Sequence, residues 1–453
     1  MKKLILLSAL VATQSMATDL AEVLQQASEK DPVLRSAKSN ALAGDENIRI
    51  ARANFLPQVS GTWNKNEGDG TLVSGGTSIE VPDTDSQDWR ITLNQTIYDQ
   101  ANYETMKQAR LQAALGNARY DVAYQDFLIR VAERYFAVLT NNDSVRFAEA
   151  EEKAIQRQLD QAEQRYEVGL AAITDVHEAR AQYDASRAAV IQARNTLDDA
   201  KEALYEVSQA YYRDMDALPD DLKPITLRFT DLEKWQDVAF ENNPDLGVSR
   251  INADLAKITM KLQRAGHYPS VSFSANRRGN DDFSNPRRNP ATLEIIDVFE
   301  SNSNGTSYGI TVDVPIFAGG RTYYQTKKAR LEYEAALEDL DQSSLSTTRN
   351  IRNAIRNVDA GWSSVQARQL AVVSAKSAEE ATEAGFEVGT RNIVEVLNSQ
   401  RSLYQAQRDF SQAKYDYLLN VLRLDRAAGT LTDENLLNIN KLLVENDTQA
   451  ASE

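Results

Sequence analysis

The sequence of 453 residues contains no cysteine, which excludes disulfides, thiolate metal sites and cysteine nucleophiles. Histidine is nearly absent too: His177 and His267 stand alone, without a second histidine at the spacing of a metal-ligand pair. No nucleophile and base stand together in a pattern typical of catalysis. We therefore predict a protein with no metal site, no cofactor and no enzymatic activity.

Long apolar runs are also lacking beyond the start of the chain. Residues 1–17 combine a basic start, a short apolar run and small residues before Thr18, which predicts a secretory signal peptide. No later stretch of 18 residues is apolar, so we expect no transmembrane helix. Removing Lys2 and Lys3 takes the formal charge from −16 to −18, which argues against nucleic acid or an anionic lipid surface as partner. Export without cysteine indicates a bacterial envelope protein.

Proline is missing from two long blocks, between Pro82 and Pro219 and after Pro315. Both blocks are rich in Ala, Gln, Leu, Arg and Glu, which favour helices. The first block predicts a helix from about Ala101 to Tyr166, roughly 100 Å long at about 1.5 Å per residue. A helix of that length is too long for an ordinary globular core.

Apolar residues later in each block recur at alternating spacings of three and four, the pattern of a coiled coil. One position of the seam is usually large and the other usually small, which suits a curved wall of helices. The predicted seam residues are Val176, Ala179, Tyr183, Ser186, Val190, Ala193, Leu197, Ala200, Leu204, Val207 and Tyr211 in the first block, and Val396, Ser399, Leu403, Ala406, Phe410, Ala413, Tyr417, Asn420, Leu424, Ala427 and Leu431 in the second.

The two blocks belong to a tandem duplication. Tyr-Glu-Val-Gly at 166–169 returns 220 residues later as Phe-Glu-Val-Gly at 386–389. We predict a first repeat at 18–230, a second at 231–431 and a C-terminal tail at 432–453. A period above 200 residues makes each repeat a large structural half, since solenoid repeats have periods of about 20 to 50.

Each repeat is predicted to end in a helical hairpin. Gly169 and Gly389 are placed to end the first long helix in a left-handed cap, which favours glycine. Thr174 and Asn392 are candidate amino-terminal caps of the next helix, and Glu395 follows Asn392 at the spacing of a capping box.

Each repeat also contains two segments in which apolar and polar residues alternate, the period of a strand. They lie near 57–66 and 87–98, and near 269–277 and 306–316. Their length of about 10 residues suits an outer-membrane barrel, with the stretches from Lys65 to Ser86 and from Arg277 to Thr306 as external loops. Four strands cannot close a barrel, so the chain must oligomerise. Two copies would supply eight strands, and three would supply 12.

The hairpin motifs at 157–161, 168–176 and 388–397 resemble those of the TolC family of outer-membrane efflux proteins, and the resemblance covers essentially the whole mature chain. It implies an α+β membrane protein: a trimeric 12-stranded β-barrel in the outer membrane, continued through the periplasm by a long α-helical coiled-coil barrel. It also implies an exit duct for drugs, toxic small molecules and secreted polypeptides. The implied partners are outer-membrane lipid, a periplasmic adaptor, and an inner-membrane efflux pump or ABC exporter.

The resemblance also implies roles for residues at the periplasmic tip. The family has a tyrosine at the position of Phe386 and an acidic residue at that of Asn398, so here one gate hydrogen bond is lost and the charge ring is weaker. An ion pair between Asp175 and Arg391 is expected to help close the tip. The implied sites are a gate of Gln158, Thr174, Asp175, Glu383, Phe386 and Arg391, an entrance charge ring of Glu395 and Asn398, and adaptor-docking turns at Val168, Gly169, Leu170, Val388, Gly389 and Thr390.

Two other classes of protein stay open from the residues alone. A structural periplasmic coiled coil or adaptor would explain the heptads, but not four paired amphipathic strands. A hydrolase of envelope polymers would need a catalytic cluster, and the sequence offers none.

Overall fold

A computed structural model describes residues 18–74, 77–219, 221–229, 231–288 and 295–443, with side chains outside 69–85 and 281–301. The predicted signal peptide at 1–17 lies outside the described residues. The elements in chain order are α1 (Leu20–Lys30), α2 (Pro32–Ala53), β1 (Gln58–Ser74), β2 (Thr77–Asp99), α3 (Gln100–Glu167), α4 (Ile173–Ser208), α5 (Leu232–Asn242), α6 (Pro244–Ala265), β3 (Ser270–Arg288), β4 (Ile295–Asp313), α7 (Arg321–Glu387), α8 (Ile393–Ala428) and α9 (Asp433–Asn440).

The long helices are confirmed, and their lengths match between the repeats. Helices α3 and α7 have 68 and 67 residues, and α4 and α8 have 36 each. Among the described helices, none is apolar over a stretch long enough to cross a membrane.

The first long helix of each repeat ends at the predicted glycine. Gly169 and Gly389 have φ angles of 74° and 78°, in the left-handed region that glycine adopts without strain. The Leu170 N–H donates to the Arg165 carbonyl at 2.7 Å, and the Thr390 N–H donates to the Gly385 carbonyl at 2.8 Å. Both turns are Schellman caps, which satisfy the last carbonyls of the helix.

The prediction of the next helix start holds in one repeat and fails in the other. Asn392 caps α8, because its Oδ1 accepts from the Glu395 N–H at 2.9 Å. Thr174 does not cap α4, which begins at Ile173 with Ala172 as its cap residue. Alanine has no side-chain acceptor; instead, the Ala172 N–H donates to Asp175 Oδ2 at 3.4 Å.

The predicted heptad seam is largely buried in α4 but only partly in α8. In α4, buried seam positions run from Val176 to Val207. In α8, the buried seam positions are Val396, Ala413, Tyr417 and Leu424, and the others within the helix are half-buried. Tyr211 and Leu431, the last predicted seam residues, lie beyond the ends of α4 and α8. Both helices stop earlier because Gln209 (φ 52°) and Gly429 (φ 74°) adopt left-handed caps.

The four strands form one antiparallel sheet in the order β1-β2-β3-β4. All four are longer than predicted, and the prediction of external loops at 65–86 and 277–306 is wrong. Pairing continues through those stretches, as far as Ser74 opposite Thr77 and Arg288 opposite Ile295. Ladder hydrogen bonds join backbone groups, so polar side chains do not end a strand.

The two faces of the sheet differ in polarity near the helices. One face carries exposed apolar side chains, while the other carries Ser, Thr, Asn and Gly, because successive residues point to opposite faces. The exposed apolar residues on the first face are Val59, Trp63, Ile91, Tyr308, Ile310 and Val312.

The described chain forms two compact units that cut across the predicted repeats. The first comprises the described parts of Met1–Asn40, Ala118–Gly247 and Asp341–Glu453, and the second comprises Ala41–Asn117 and Val248–Leu340. Each unit therefore combines segments of both repeats. Helix α9, within the predicted tail at 432–453, buries Leu436 and Ile439 in the main core of the first unit.

Candidate functional site

The two helical hairpins meet close to their turns in a small apolar cluster within the first unit. The hairpin of the first repeat contributes side chains from α3 and α4, and the second repeat contributes side chains from α8. The buried members are Ile155, Leu159, Ala162, Val176, Ala179, Ile393 and Leu397, with Tyr183, Phe386 and Val394 packed against them. We call this set the tip cluster. It holds together the region in which the predicted gate residues lie.

Gln158 and Glu383, two predicted gate residues, are in contact across the repeats. Gln158 is 5% exposed, and its Nε2 donates to Glu383 Oε1 at 3.5 Å. That distance is long for a hydrogen bond. The Gln158 Oε1 is buried and has no hydrogen-bond partner in the described part of the chain, and the same holds for the Oε1 of buried Gln400. An unpaired buried oxygen costs about 1–3 kcal/mol, so this arrangement of Gln158 and Gln400 carries an internal cost.

A second carboxylate, that of Glu379, lies beside this contact and was not among the predicted gate residues. Burial raises the pKa of Glu379, and the charge of Glu383, one helical turn further along α7, raises it as well. A hydrogen bond with Gln400 acts in the opposite direction. The spacing of four between Glu379 and Glu383 was the available signal, because residues at i and i+4 are neighbours on a helix.

Phe386 packs against the tip cluster. It lacks the hydroxyl with which a tyrosine could form a hydrogen bond, and its ring contacts an arginine instead. The Arg165 guanidinium lies 4.7 Å from the centroid of its ring, within the range of a cation–π interaction. Arg165 belongs to α3, so this contact also joins the two repeats. Arg165 was not among the predicted gate residues.

Asp175 and Arg391 do not meet within the single chain. Asp175 accepts from the Ala172 N–H, and Arg391 Nη1 pairs with Glu395 Oε2 at 2.5 Å, one turn along α8. The pair between Asp175 and Arg391 therefore stays a prediction for the assembled protein. Thr174 is exposed, and its side chain forms no hydrogen bond with the described residues.

Glu395 and Asn398 share one face of α8, three residues apart. Asn398 is exposed and Glu395 is half-buried. The Arg391 guanidinium offsets the Glu395 charge, a contact that was not predicted. The predicted ring is thus weakened twice, by a neutral Asn398 and by a paired Glu395.

The predicted docking turns present apolar side chains to solvent. Val168, Leu170 and Val388 are 70%, 75% and 76% exposed. Thr390 is exposed, and its hydroxyl donates to the Gly385 carbonyl at 3.0 Å, which fixes the second turn. Each of the two turns therefore presents exposed apolar side chains on a hydrogen-bonded backbone.

A model of the family described as outer membrane efflux protein matches residues 23–208 and 235–430. The two matched segments correspond to the two predicted repeats. This chain belongs to that family.

Relatives of similar length support the assignment. The outer membrane protein TolC of Vibrio cholerae is 35% identical, covering 97% of this chain and 98% of its own length. TolC of Escherichia coli is 33% identical, covering 95% of this chain and 86% of its own length. The alkaline protease secretion protein AprF of Pseudomonas aeruginosa is 26% identical, covering 97% of this chain and 90% of its own length. The protein is accordingly an outer-membrane channel for efflux or secretion.

Solved structures show the same fold. Crystal structures of CusC match with a TM-score of 0.74, covering 91% of this chain and 93% of that chain, at 16% identity. The outer membrane protein VceC from Vibrio cholerae matches with a TM-score of 0.70 over 90% and 96%, at 18% identity. The predicted fold class, with its tandem duplication and long helices, is confirmed.

Proposed function

We propose that three copies of this chain form one exit duct across the outer membrane and periplasm. The observation that carries the proposal is the family match to both repeats, with full-length relatives at 33–35% identity. Three copies of the four-stranded sheet would supply 12 strands, enough to enclose an open channel. The duct would act by conduction and not by catalysis. Within the described residues, no group of His, Cys, Asp and Glu could hold a metal ion.

The sheet supports assembly through its two edges. Strands β1 and β4 end the strand order, so each has one unpaired edge in the single chain. Unpaired edges are templates for pairing with another chain, and β4 of one copy pairing with β1 of the next would remove them. The exposed apolar face defined above would then meet outer-membrane lipid, and the polar face would line the duct.

The cargo that we propose is drugs and toxic small molecules, together with secreted polypeptides. A protease secretion protein stands among the relatives, which supports the polypeptide cargo. The energy would come from an inner-membrane efflux pump or ABC exporter, and a periplasmic adaptor would join it to the hairpin turns.

The duct is tested by conduction and by efflux. The purified protein should form ion-conducting pores in planar lipid bilayers. Expressed in a bacterium that lacks its own outer-membrane efflux channel, it should lower the accumulation of a fluorescent pump substrate. A protein that inserts into bilayers without conducting, and that leaves accumulation unchanged, would refute the proposal.

The gate that we propose is the set of contacts around the tip cluster. The contact between Gln158 and Glu383 and the contact between Arg165 and Phe386 both cross from one repeat to the other. Opening would separate the hairpins and break both contacts at once, while Thr174, Asp175 and Arg391 would contribute between copies. Because each contact is weak, adaptor and pump contacts of a few kcal/mol would be enough to shift such an equilibrium.

The docking surface that we propose is the pair of turns at 168–170 and 388–390. A photo-crosslinking amino acid at Val168 or Val388 should trap the adaptor in living cells. Ile191 on α4 is the control, because it is similarly exposed at 61% but lies away from the turns. Equal trapping from all three positions would argue against docking at the turns.

A further inference from the structure

Two arginines lie directly opposite each other on the polar face of the sheet. In the register of β2 and β3, Arg90 pairs with Arg278. Both are exposed. Their neighbours in the same row are Thr62 on β1 and Gly305 on β4. Directly opposed residues have Cβ atoms about 5 Å apart, and like charges at that distance repel each other.

The register fixes which face these arginines share. No bulge interrupts β2 and β3 between residues 86–96 and 272–282. The next row towards the helices, Ser60, Thr92, Asn276 and Ser307, is neutral and polar. Arg277, next to Arg278 in sequence, points to the opposite, apolar face, where it pairs with Ile91.

No ion pair offsets the two charges within the described part of the chain. The acidic residue in the adjoining row is Asp88, whose Oδ2 accepts from Asn64 Nδ2 at 3.0 Å. Ion pairs are found for other arginines of the protein, but neither Arg90 nor Arg278 forms one. Two directly opposed arginines without an ion pair are therefore a feature of the polar face that stability does not explain.

We infer that Arg90 and Arg278 form an anion-binding site that takes soluble solutes carrying phosphate or carboxylate groups. Guanidinium groups bind such oxyanions through two parallel hydrogen bonds. An anion between the two arginines would replace their repulsion with two attractive contacts. The site rests on the proposed function in one respect: in a trimer, three such pairs would form a ring of six arginines within the duct. Such a ring would favour the passage of anions.

The test uses inorganic tripolyphosphate as probe, with binding and conduction measured separately. Isothermal titration of the purified full-length protein in detergent measures binding. Single-channel recordings in planar bilayers measure how strongly tripolyphosphate blocks the conductance. The bilayers contain only zwitterionic lipid, so that anionic lipids cannot occupy the arginine site. The variants are Arg90→Gln with Arg278→Gln, and the matched control is Arg277→Gln, which removes an arginine one residue away on the other face.

We expect the double variant to bind tripolyphosphate at least about tenfold more weakly than the wild type, and Arg277→Gln to bind it as the wild type does. Asp88→Asn should strengthen binding, because it removes the nearest negative charge on that face; this variant also tests the site if the double variant fails to fold. Weakening of binding should be accompanied by weaker block and by a reversal potential shifted towards cation selectivity.

Equal binding by the wild type, the double variant and Asp88→Asn would overturn the inference, even if the protein conducts. Equal loss in Arg277→Gln would overturn it too, because the effect would then follow total charge and not the paired arginines. Binding that depends on Arg90 and Arg278 in a protein that does not conduct would support the site while refuting the duct.

Discussion

At the scale of single residues, the most informative contact is the one between Arg391 and Glu395. It is an exposed pair, with 58% and 38% of the side chains accessible, so it contributes about 1 kcal/mol or less to stability. Its importance is for charge, because it offsets the one acidic group that remains at the predicted entrance ring.

Arg391→Ala should therefore strengthen block of single channels by trivalent cations, since Glu395 is left uncompensated. The conductance should also rise if Arg391 helps to close the tip. Arg391→Lys is the control, because it keeps the positive charge. Unchanged block and unchanged conductance in Arg391→Ala would show that this arginine is an ordinary surface residue.

Asn398→Asp should strengthen cation block by a second route. It adds a carboxylate three residues from Glu395 on the same helical face, and three copies would raise the local cation concentration. The measurement is the concentration of trivalent cation that halves the conductance. If that concentration does not change, Asn398 does not face the pore.

At the scale of elements, the hairpin turns depend on backbone conformation more than on packing. A Cβ at Gly389 would meet nothing within 4 Å, yet the residue has a φ of 78°. Gly389→Ala should then destabilise the hairpin by about 1–2 kcal/mol through backbone strain alone. Limited proteolysis at the turn measures this loss as faster cleavage.

Gly247→Ala is the matched control for that substitution. Its Cβ would also meet nothing within 4 Å, but Gly247 lies in α6 with ordinary helical geometry. Alanine should stabilise that helix by up to about 1 kcal/mol. Equal effects of the two substitutions would contradict the role of the left-handed cap.

The end of α8 contains a half-buried carboxylate, Asp425, that should make stability depend on pH. Burial raises the pKa of Asp425 to about 6, although the Asn435 side chain donates to its Oδ2 at 2.8 Å. The folded state therefore binds a proton more tightly than the unfolded state, so stability is greatest below pH 4 for this group and falls as the pH rises through 6. The loss is on the order of 2–3 kcal/mol.

Asp425→Asn should remove most of that loss, because the amide keeps an acceptor for Asn435 and carries no charge. Thermal unfolding of the variant should change less between pH 5 and pH 7.5 than that of the wild type. A parallel pH dependence in both proteins would assign the effect to other groups.

The sequence predicted helices and strands well where the hydrophobic period was strong, and helix ends where a glycine stood. It predicted them less well where contacts with distant parts of the chain determine the structure. The 3,4 spacing predicted the helices, and Gly169 and Gly389 fixed two of their ends. The cap at Ala172 was missed, since Asp175 three residues later supplies the acceptor instead. The parts of β1 and β3 that extend beyond Lys65 and Arg277 were not predicted. Their pairing depends on hydrogen bonds to a neighbouring backbone and not on a pattern of apolar side chains.

The candidate site shows the same division. The family resemblance implied Gln158, Glu383 and Phe386 as gate residues. In the structure Gln158 contacts Glu383 and Phe386 packs against the tip cluster, while their role in gating stays a prediction. Arg165 and Gln400 were missed, because each takes its role from a side chain more than 20 residues away in the chain. No local pattern marks such partners.

At the scale of the whole molecule, the open sheet predicts the assembly state. The purified protein should have three times the mass of the mature chain in detergent by light scattering. It should fall to monomer only on heating or strong denaturation, because separating copies would expose strand edges. A stable monomer with an intact β signal in circular dichroism would refute the trimer.

The first unit joins the two ends of the described chain. The Leu20 N–H donates to Asn440 Oδ1 at 2.9 Å, and Asn440 Nδ2 donates to Asp19 Oδ2 at 2.9 Å. Contacts between residues about 420 positions apart form late and slowly, because bringing the two ends together reduces the conformational entropy of the chain between them. A chain emerging from the secretion machinery therefore cannot complete this unit until Asn440 has been translocated. Until then the unit stays incomplete and exposed to periplasmic proteases, so we expect a truncation that removes only α9 to shorten the lifetime of the protein in the cell.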